Sequence, residues 1–348
     1  MAQGQAWADP GRQHRAGQRS LQVMHAARVG LAKILMTAPD AVHVAPSGVA
    51  AVQAAVHGVL DVAGLGRGTL LISAVEPLAV FDVADRHEQA GGTVRVIGVD
   101  AAGRVDTAVL DQMLGPDVVG VVVQAANAEV GTRQPLSAVH TRCQAAGVPL
   151  IVDATQVLGH DPVPEHWDVL VGQARDWASP SPIGVLAVRT SRWRAPYASQ
   201  HGWLSGVADV PAAAAAVTAL DTAVSIRAEQ AAAHIEQIDA LRSFLRTSVT
   251  DVDVVGDPID RLPHVLTFSV LYCAGDALVS ELDRRGFAVA SGSACVVDSD
   301  RASHVLAAMG AFTGGNVRVT MPYGSTMDTI EGLCTALSEA IQTVREDI

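Results

Sequence analysis

The stretch VVGVVVQAANAEVGTRQPLSAVHTRCQAAGVPLIVDAT, residues 118–155, decides the fold. It opens on a run of valines, β-branched and apolar on both faces, as in a strand buried on both sides. It closes on a second such run, LIVD. Between them PLSAVHTRCQAAG has apolar residues at helical spacing and ends on glycine, a residue suited to stopping a helix. Strand, helix, strand in that order is a parallel crossover unit. The segments NAEVG (127–131) and DATQ (153–156) follow the two strands. Ligands in such sheets bind beyond the carboxyl ends of the strands.

The same alternation extends outward. VHVA (42–45) precedes the helix-like GVAAVQAAVHGVL; LLISAV (70–75) precedes EPLAVFDVADRHEQAGG; TVRVIGV (93–99) follows. Residues 18–36 carry a helical pattern. The expectation is a large α/β domain over 20–225, with a mostly parallel sheet flanked by helices. An alanine-rich helix over about 210–249 links it to a smaller α+β domain over 226–348, which residues 1–19 are left free to join. In that domain HVLTFSVL, AVASG and NVRVTM read as strands, and AGDALVSELDRRG, SHVLAAMG and a segment from about 326 as helices.

Composition removes several function classes. The net charge is −12 with no basic cluster, which argues against nucleic acid as a partner. The residues that begin the sequence lack the apolar centre of a signal peptide, and no apolar run reads as long enough to span a bilayer, so a cytoplasmic protein without a membrane partner is expected. The four cysteines are widely spaced with no CxxC pair, which suggests neither a zinc site nor a disulfide framework. Cys143, Cys273 and Cys334 lie in helical or strand-end patterns and read as core. The twelve histidines form no metal-ligand spacing. Lysine occurs once, at Lys33, on the surface side of a helical pattern.

Three segments carry a resemblance. SGSACVVDSDRASHVLAAMG (291–310), IVDATQVLGHDPV (151–163) and NVRVTMPYGSTMDTIEGL (316–333) resemble the cysteine desulfurases, in the class V aminotransferase family of enzymes dependent on pyridoxal phosphate (PLP). The resemblance implies the type I PLP-transferase fold. It also implies a chemistry: PLP on a lysine, an aspartate at the pyridinium nitrogen, and a loop cysteine that carries sulfur as a persulfide. Aligned without a gap, the family's SGHK falls on QARD in GQARDWASPSPIG (172–184). The lysine position is Asp176, its histidine neighbour Arg175 and the phosphate-binding serine Gln173. The ring-stacking histidine falls on Pro77, the phosphate-binding threonine on Ala50, the threonine given across the dimer on Val207, and the second asparagine of NNE on Ala128. Two like charges ~4 Å apart at an effective dielectric near ~20 repel by roughly 4 kcal/mol, so a carboxylate at 176 opposes an anionic cofactor.

Some positions are retained. Asp153 and Gln156 stand at the cofactor ring, with strand-end capping as the competing role for Asp153. Cys295 stands at the persulfide position and Arg318 where the substrate carboxylate is gripped, with Arg175 a further anion binder. Trp177 is expected to fill space beside the lost lysine. The leading expectation is a degenerate desulfurase-like protein that does not hold PLP covalently. It would act as a homodimer, as a heterodimer with an active desulfurase paralog, or as a sulfur relay through Cys295 to an acceptor protein. The alternatives are an active PLP-dependent desulfurase or lyase, and a pocket reused for another small anion.

Overall fold

The computed structural model of the chain describes residues 7–64, 66–196, 199–292 and 302–346. They form two compact units. The first holds the residues up to Ile97 together with Thr107–Ala125 and Pro135–Ile226. The second holds Gly98–Asp106, Ala126–Gln134 and the chain from Arg227 on. Two excursions from the middle of the first unit therefore belong to the second, a division that strand and helix patterns alone do not display.

The first unit is built on a nine-stranded sheet. Its strands are β1 (Val42–Ala45), β2 (Thr69–Ser73), β3 (Thr93–Ile97), β4 (Val118–Gln124), β5 (Leu150–Asp153), β6 (Val169–Gln173), β7 (Gly184–Val188) and two-residue strands β8 (Ser199–Gln200) and β9 (Trp203–Leu204). Their order is β3-β2-β4-β5-β6-β7-β1-β9-β8. β3, β2, β4, β5 and β6 are parallel; β7 runs antiparallel to both β6 and β1. The helices are α1 (Arg15–Ile34), α2 (Gly48–Ala63), α3 (Leu78–Gln89), α4 (Thr107–Met113), α5 (Leu136–Ala146) and the first part of α6 (Val210–Ser248).

The sequence accounts for these elements locally. β2 and β5 are buried at every residue, which is why they read as unbroken apolar runs. α2 lays Ala51, Val52, Ala55, Val56 and Val59 onto Leu70, Ile72, Val122, Ile151, Val169 and Leu186. Its alanines let helix and sheet approach closely, and each fully buried valine contributes about 1.5–3 kcal/mol. Ser47 caps the helix by accepting from the Ala50 N–H at 3.1 Å. α5 stops at Gly147, whose φ of +67° is the left-handed conformation that glycine takes without strain.

α6 corrects one expectation. Among the described residues it is long and apolar enough to cross a membrane, by length and composition alone. The charges spaced along it hid this, while its many alanines raise the mean hydropathy. Within the chain its apolar residues form a helical stripe: Val210, Ala213, Ala216, Leu220 and Ala223 are buried in the first unit.

In the second unit the later part of α6 packs with α7 (Gly275–Arg284) and α9 (Met327–Glu346) on a three-stranded antiparallel sheet, β10 (Val252–Val255), β11 (Val265–Val270) and β12 (Asn316–Thr320). Phe268, Leu278, Leu282, Val317, Leu333 and Leu337 centre that core. The short α8 (His304–Ala308) starts at Ser303, whose hydroxyl accepts from Leu306 N–H and donates to Glu129 at 2.5 Å. Two sequence readings change here. β10 breaks its valines with Asp253 and gives no apolar run. AVASG is no strand: only Ala290 pairs, exchanging both backbone hydrogen bonds with Arg318.

Candidate functional site

The loop 172–184 is pinned between two core strands, as its flanks predict. β6 ends at Gln173, a 3-10 turn takes Ala174–Trp177, and β7 resumes at Gly184. Ala174 N–H donates to Ile183 O and Ser179 N–H to Ala174 O, closing the loop on itself. Trp177 anchors it: the indole is 1% exposed and donates to Ala216 O of α6 at 3.0 Å. The ring and Leu158 lie over Gly172, where a methyl group would meet Leu158 Cδ1 at 2.4 Å and the ring at 3.1 Å. Trp177 is thus a buried space-filling residue whose contacts are core groups.

The neighbouring side chain has different partners. Gln173 Nε2 donates to the Asp176 carboxyl at 3.2 and 3.4 Å, and Gln156 Nε2 to its Oδ2 at 3.3 Å. The ring of His160 donates to the Asp176 carbonyl at 2.7 Å and fixes the turn. Burial pushes the Asp176 carboxyl up to about 7; the Asp153 charge adds to this, and the Gln173 hydrogen bond and the Arg175 guanidinium oppose it. Arg175 itself is exposed, and its influence is the smallest of the four.

Asp153 ends β5 and is 7% exposed. Its Oδ1 accepts from Thr155 N–H at 2.9 Å, which is the strand-end cap that the sequence offered as its competing role. Burial raises its pKa, with the hydrogen bonds to Thr155 opposing. β4 pairs with β5 so that Gln124 stands opposite Asp153, and the Gln124 N–H donates to Glu76 Oε1 at 2.8 Å. Glu76 is fully buried, and burial pushes its carboxyl up to about 8, with the Asp153 charge adding to the rise. Sequence reading passed over Glu76. The available signal was its place as the first charged residue after the apolar run LLISAV, which begins in the wholly buried strand β2.

PLP, implied by the resemblance, can be tested against these residues. A carboxyl at 176 has no nitrogen with which to form an imine. The one lysine, Lys33, is exposed in the last turn of α1. At the phosphate end, the N terminus of α2 is met by Gln173: a methyl at Gly48 would lie 2.3 Å from Gln173 Oε1 and 2.7 Å from its Cβ. Ala50 offers no hydroxyl there, and its N–H is held by Ser47. Pro77, which the resemblance puts at the ring-stacking position, caps α3. Val207 is 81% exposed. The residues present do not fit the group as the family holds it.

Asp153, Gln156, Gln173 and Asp176 are thus brought together in the first unit. Arg318 lies in the second, half-buried on β12 opposite Thr267. NAEVG belongs to the second unit, where Asn127 Oδ1 accepts from the Glu129 and Val130 N–H groups in a tight turn. Cys295 lies outside the described residues. Of the other cysteines, Cys143 is buried, which pushes its thiol up to about 12, and Cys273 and Cys334 are half-buried. No group of three or more metal-ligating side chains occurs among the described residues.

Comparison with known proteins agrees with this frame. A family model described as aminotransferase class-V matches residues 5–333. A cysteine desulfurase of Cereibacter sphaeroides is 28% identical over 351 residues, 97% of this chain and 90% of that one. A cysteine desulfurase IscS of Dictyoglomus turgidum is 25% identical over 353 residues, 97% and 89% of the two chains. Among solved structures, a NifS-like protein superposes with a TM-score of 0.89 at 22% identity over 98% of this chain and 93% of that one. The apo cysteine desulfurase of Thermococcus onnurineus gives 0.81 at 17% identity over 98% and 90%. These two likenesses establish the fold. With the family model matching residues 5–333, the chain belongs to the class V aminotransferase family and is cysteine desulfurase-like.

Proposed function

We propose that this protein is a desulfurase-like subunit that has given up the PLP reaction and serves sulfur transfer as a non-catalytic partner. One observation carries the reading. The loop that should present an amine presents Asp176, tied to Gln173 and Gln156, while Lys33 is exposed on α1. No side-chain amine is placed to form the imine on which the family's chemistry depends.

The partner role rests on Cys295 and on the family's habit of association. A persulfide sulfur needs no PLP to move. The Cys295 thiolate attacks the outer sulfur of a donor persulfide, the S–S bond breaks, and the donor leaves as a thiolate. Cys295 then carries the persulfide, with no external oxidant or reductant. The occupant of the second position would be an active desulfurase paralog or a second copy of this chain, and the receiver a sulfur-acceptor protein. The expected site of action is the cytoplasm.

The second reading, an active desulfurase, is favoured by the retention of Asp153 and Gln156 at one site and by relatives that bear that name. Supplying the purified protein with PLP and L-cysteine separates the two. The first reading expects no alanine and no sulfide above the Asp176→Asn control. It also expects persulfide on Cys295 only when a charged donor is added. Turnover of cysteine by the wild-type chain alone would decide for the second.

A further inference from the structure

Pairing register brings one position of the site loop, Gln173, to the start of α2. β6, β7 and β1 align Gln173 with Gly184 and Gly184 with Ala45. Gly184 has no side chain, and a methyl there would lie 2.1 Å from Ser47 O. Through that gap the turn at Ser47–Gly48 closes on β7, and the Gln173 side chain reaches the first residue of α2. Its Oε1 rests against Gly48. Its Nε2 points the other way, to the Asp176 carboxyl at 3.2 and 3.4 Å, which Gln156 holds from a second side.

We propose that Gln173 and Asp176 form an internal latch that occupies the anion seat at the N terminus of α2, so that this chain shuts out PLP at the phosphate end as well as at the missing lysine. The inference rests on the non-catalytic reading and extends it from the imine to the cradle. A helix N terminus attracts anions through its unpaired N–H groups. α2 is a 16-residue helix whose Ala50 N–H is already taken by Ser47. A phosphate entering there must displace the Gln173 amide, which leaves the Asp176 carboxyl with Gln156 as its one remaining amide donor among the described hydrogen bonds. It must also bring its own negative charge toward that carboxyl. The two residues explain each other. A glutamine at 173 needs an acceptor at its far end, and a carboxyl at 176 that has lost the lysine's place needs a donor. Reversing Asp176 alone therefore leaves the seat closed.

The test uses the full-length chain carrying Ala50→Thr, Pro77→His and Asp176→Lys, compared with and without Gln173→Ser. PLP is added, the visible spectrum recorded, and the mass measured after borohydride reduction. In parallel, the chain carrying only Gln173→Ser, with Gln173→Ala as a second variant, is melted with and without inorganic phosphate. The expected result is an imine band and a reduced adduct only when Gln173→Ser is present. Phosphate should bind either single variant about tenfold or more tighter than the wild type. An equal imine yield in the variant that keeps Gln173 overturns the latch. So does a folded Gln173→Ser or Gln173→Ala chain that phosphate does not stabilise. Neither result disturbs the non-catalytic reading, because the wild-type chain still lacks the amine. Cysteine turnover by the wild type would defeat that reading and the latch together, whereas the phosphate melts test the latch on its own.

Discussion

Asp257 and Asp176 are both largely shielded from solvent, and the two units treat them oppositely. At Asp257, in the second unit, burial pushes the pKa up but is outweighed. The Ile259 and Asp260 N–H groups each donate to its Oδ1 at 2.7 Å, and Arg104 pairs with it, with Arg242 adding a weaker pull, so the carboxyl is held below its ordinary range. At Asp176, in the first unit, burial wins and the only donors to its carboxyl among the described hydrogen bonds are two neutral amides. Asp153 and Glu76 are raised by burial as well. One unit surrounds its buried charge with compensating groups. The other collects three carboxyls at the carboxyl ends of β2, β5 and β6, and burial raises each of them. The difference separates a charge met by compensating groups from carboxyls that burial holds above their ordinary range.

The largest effect is expected at the anchor of the loop. Trp177→Ala should cost about 3–5 kcal/mol in urea unfolding, because the indole fills the core over Gly172. A cost below about 1 kcal/mol would mean that the loop is not seated as described. Next, Asp257→Asn should cost about 3 kcal/mol, since it removes the buried carboxylate that pairs with Arg104 and pulls on Arg242, leaving, among the described residues, only Asp100 and Asp239 to face them. Under the same conditions Asp176→Asn should be neutral or stabilising at pH 8; an equal loss at both positions would erase the contrast between them.

The pH dependence sharpens it. The folded value for Asp176, about 7, stands above its ordinary 3.8, so between those values the folded chain keeps a proton that the unfolded chain has released. Stability therefore falls as pH rises through that window and levels off above it. Glu76, with a folded value of about 8 against an ordinary 4.5, extends the fall upward. Asp176→Asn should remove its own part, on the order of about 2–4 kcal/mol between pH 4 and 8, and leave the Glu76 part. Unfolding midpoints across that range, wild type against variant, give the answer; a wild-type profile rising with pH would contradict it. The smallest expected effect is at Gln156→Leu, about 0.5–1.5 kcal/mol for one hydrogen bond to Asp176.

Much of this was open to reading in the sequence, for physical reasons. Strands buried on both faces must be continuous apolar runs, so β2, β4 and β5 announced themselves. That the chain holds a single lysine, Lys33, needed only a count. What stayed hidden depended on register. That Gln173 touches Gly48 follows from the alignment of β6, β7 and β1, and an antiparallel β7 inside a mostly parallel sheet is not encoded in its own five residues. β10 gives no apolar signal because Asp253 interrupts it and only Val255 is buried, and AVASG carries a strand pattern although only one of its residues pairs. The role of Glu76 comes from Gln124 and Asp153, neither of them near it in sequence.

The most direct measurement is the mass of the wild-type protein after incubation with excess PLP and reduction with borohydride, together with its visible spectrum before reduction. The expected result is an unmodified mass and no imine band. A stoichiometric adduct, mapped to Lys33 as the chain's one lysine, would contradict the central claim and show that the chemistry has been rebuilt around a different amine.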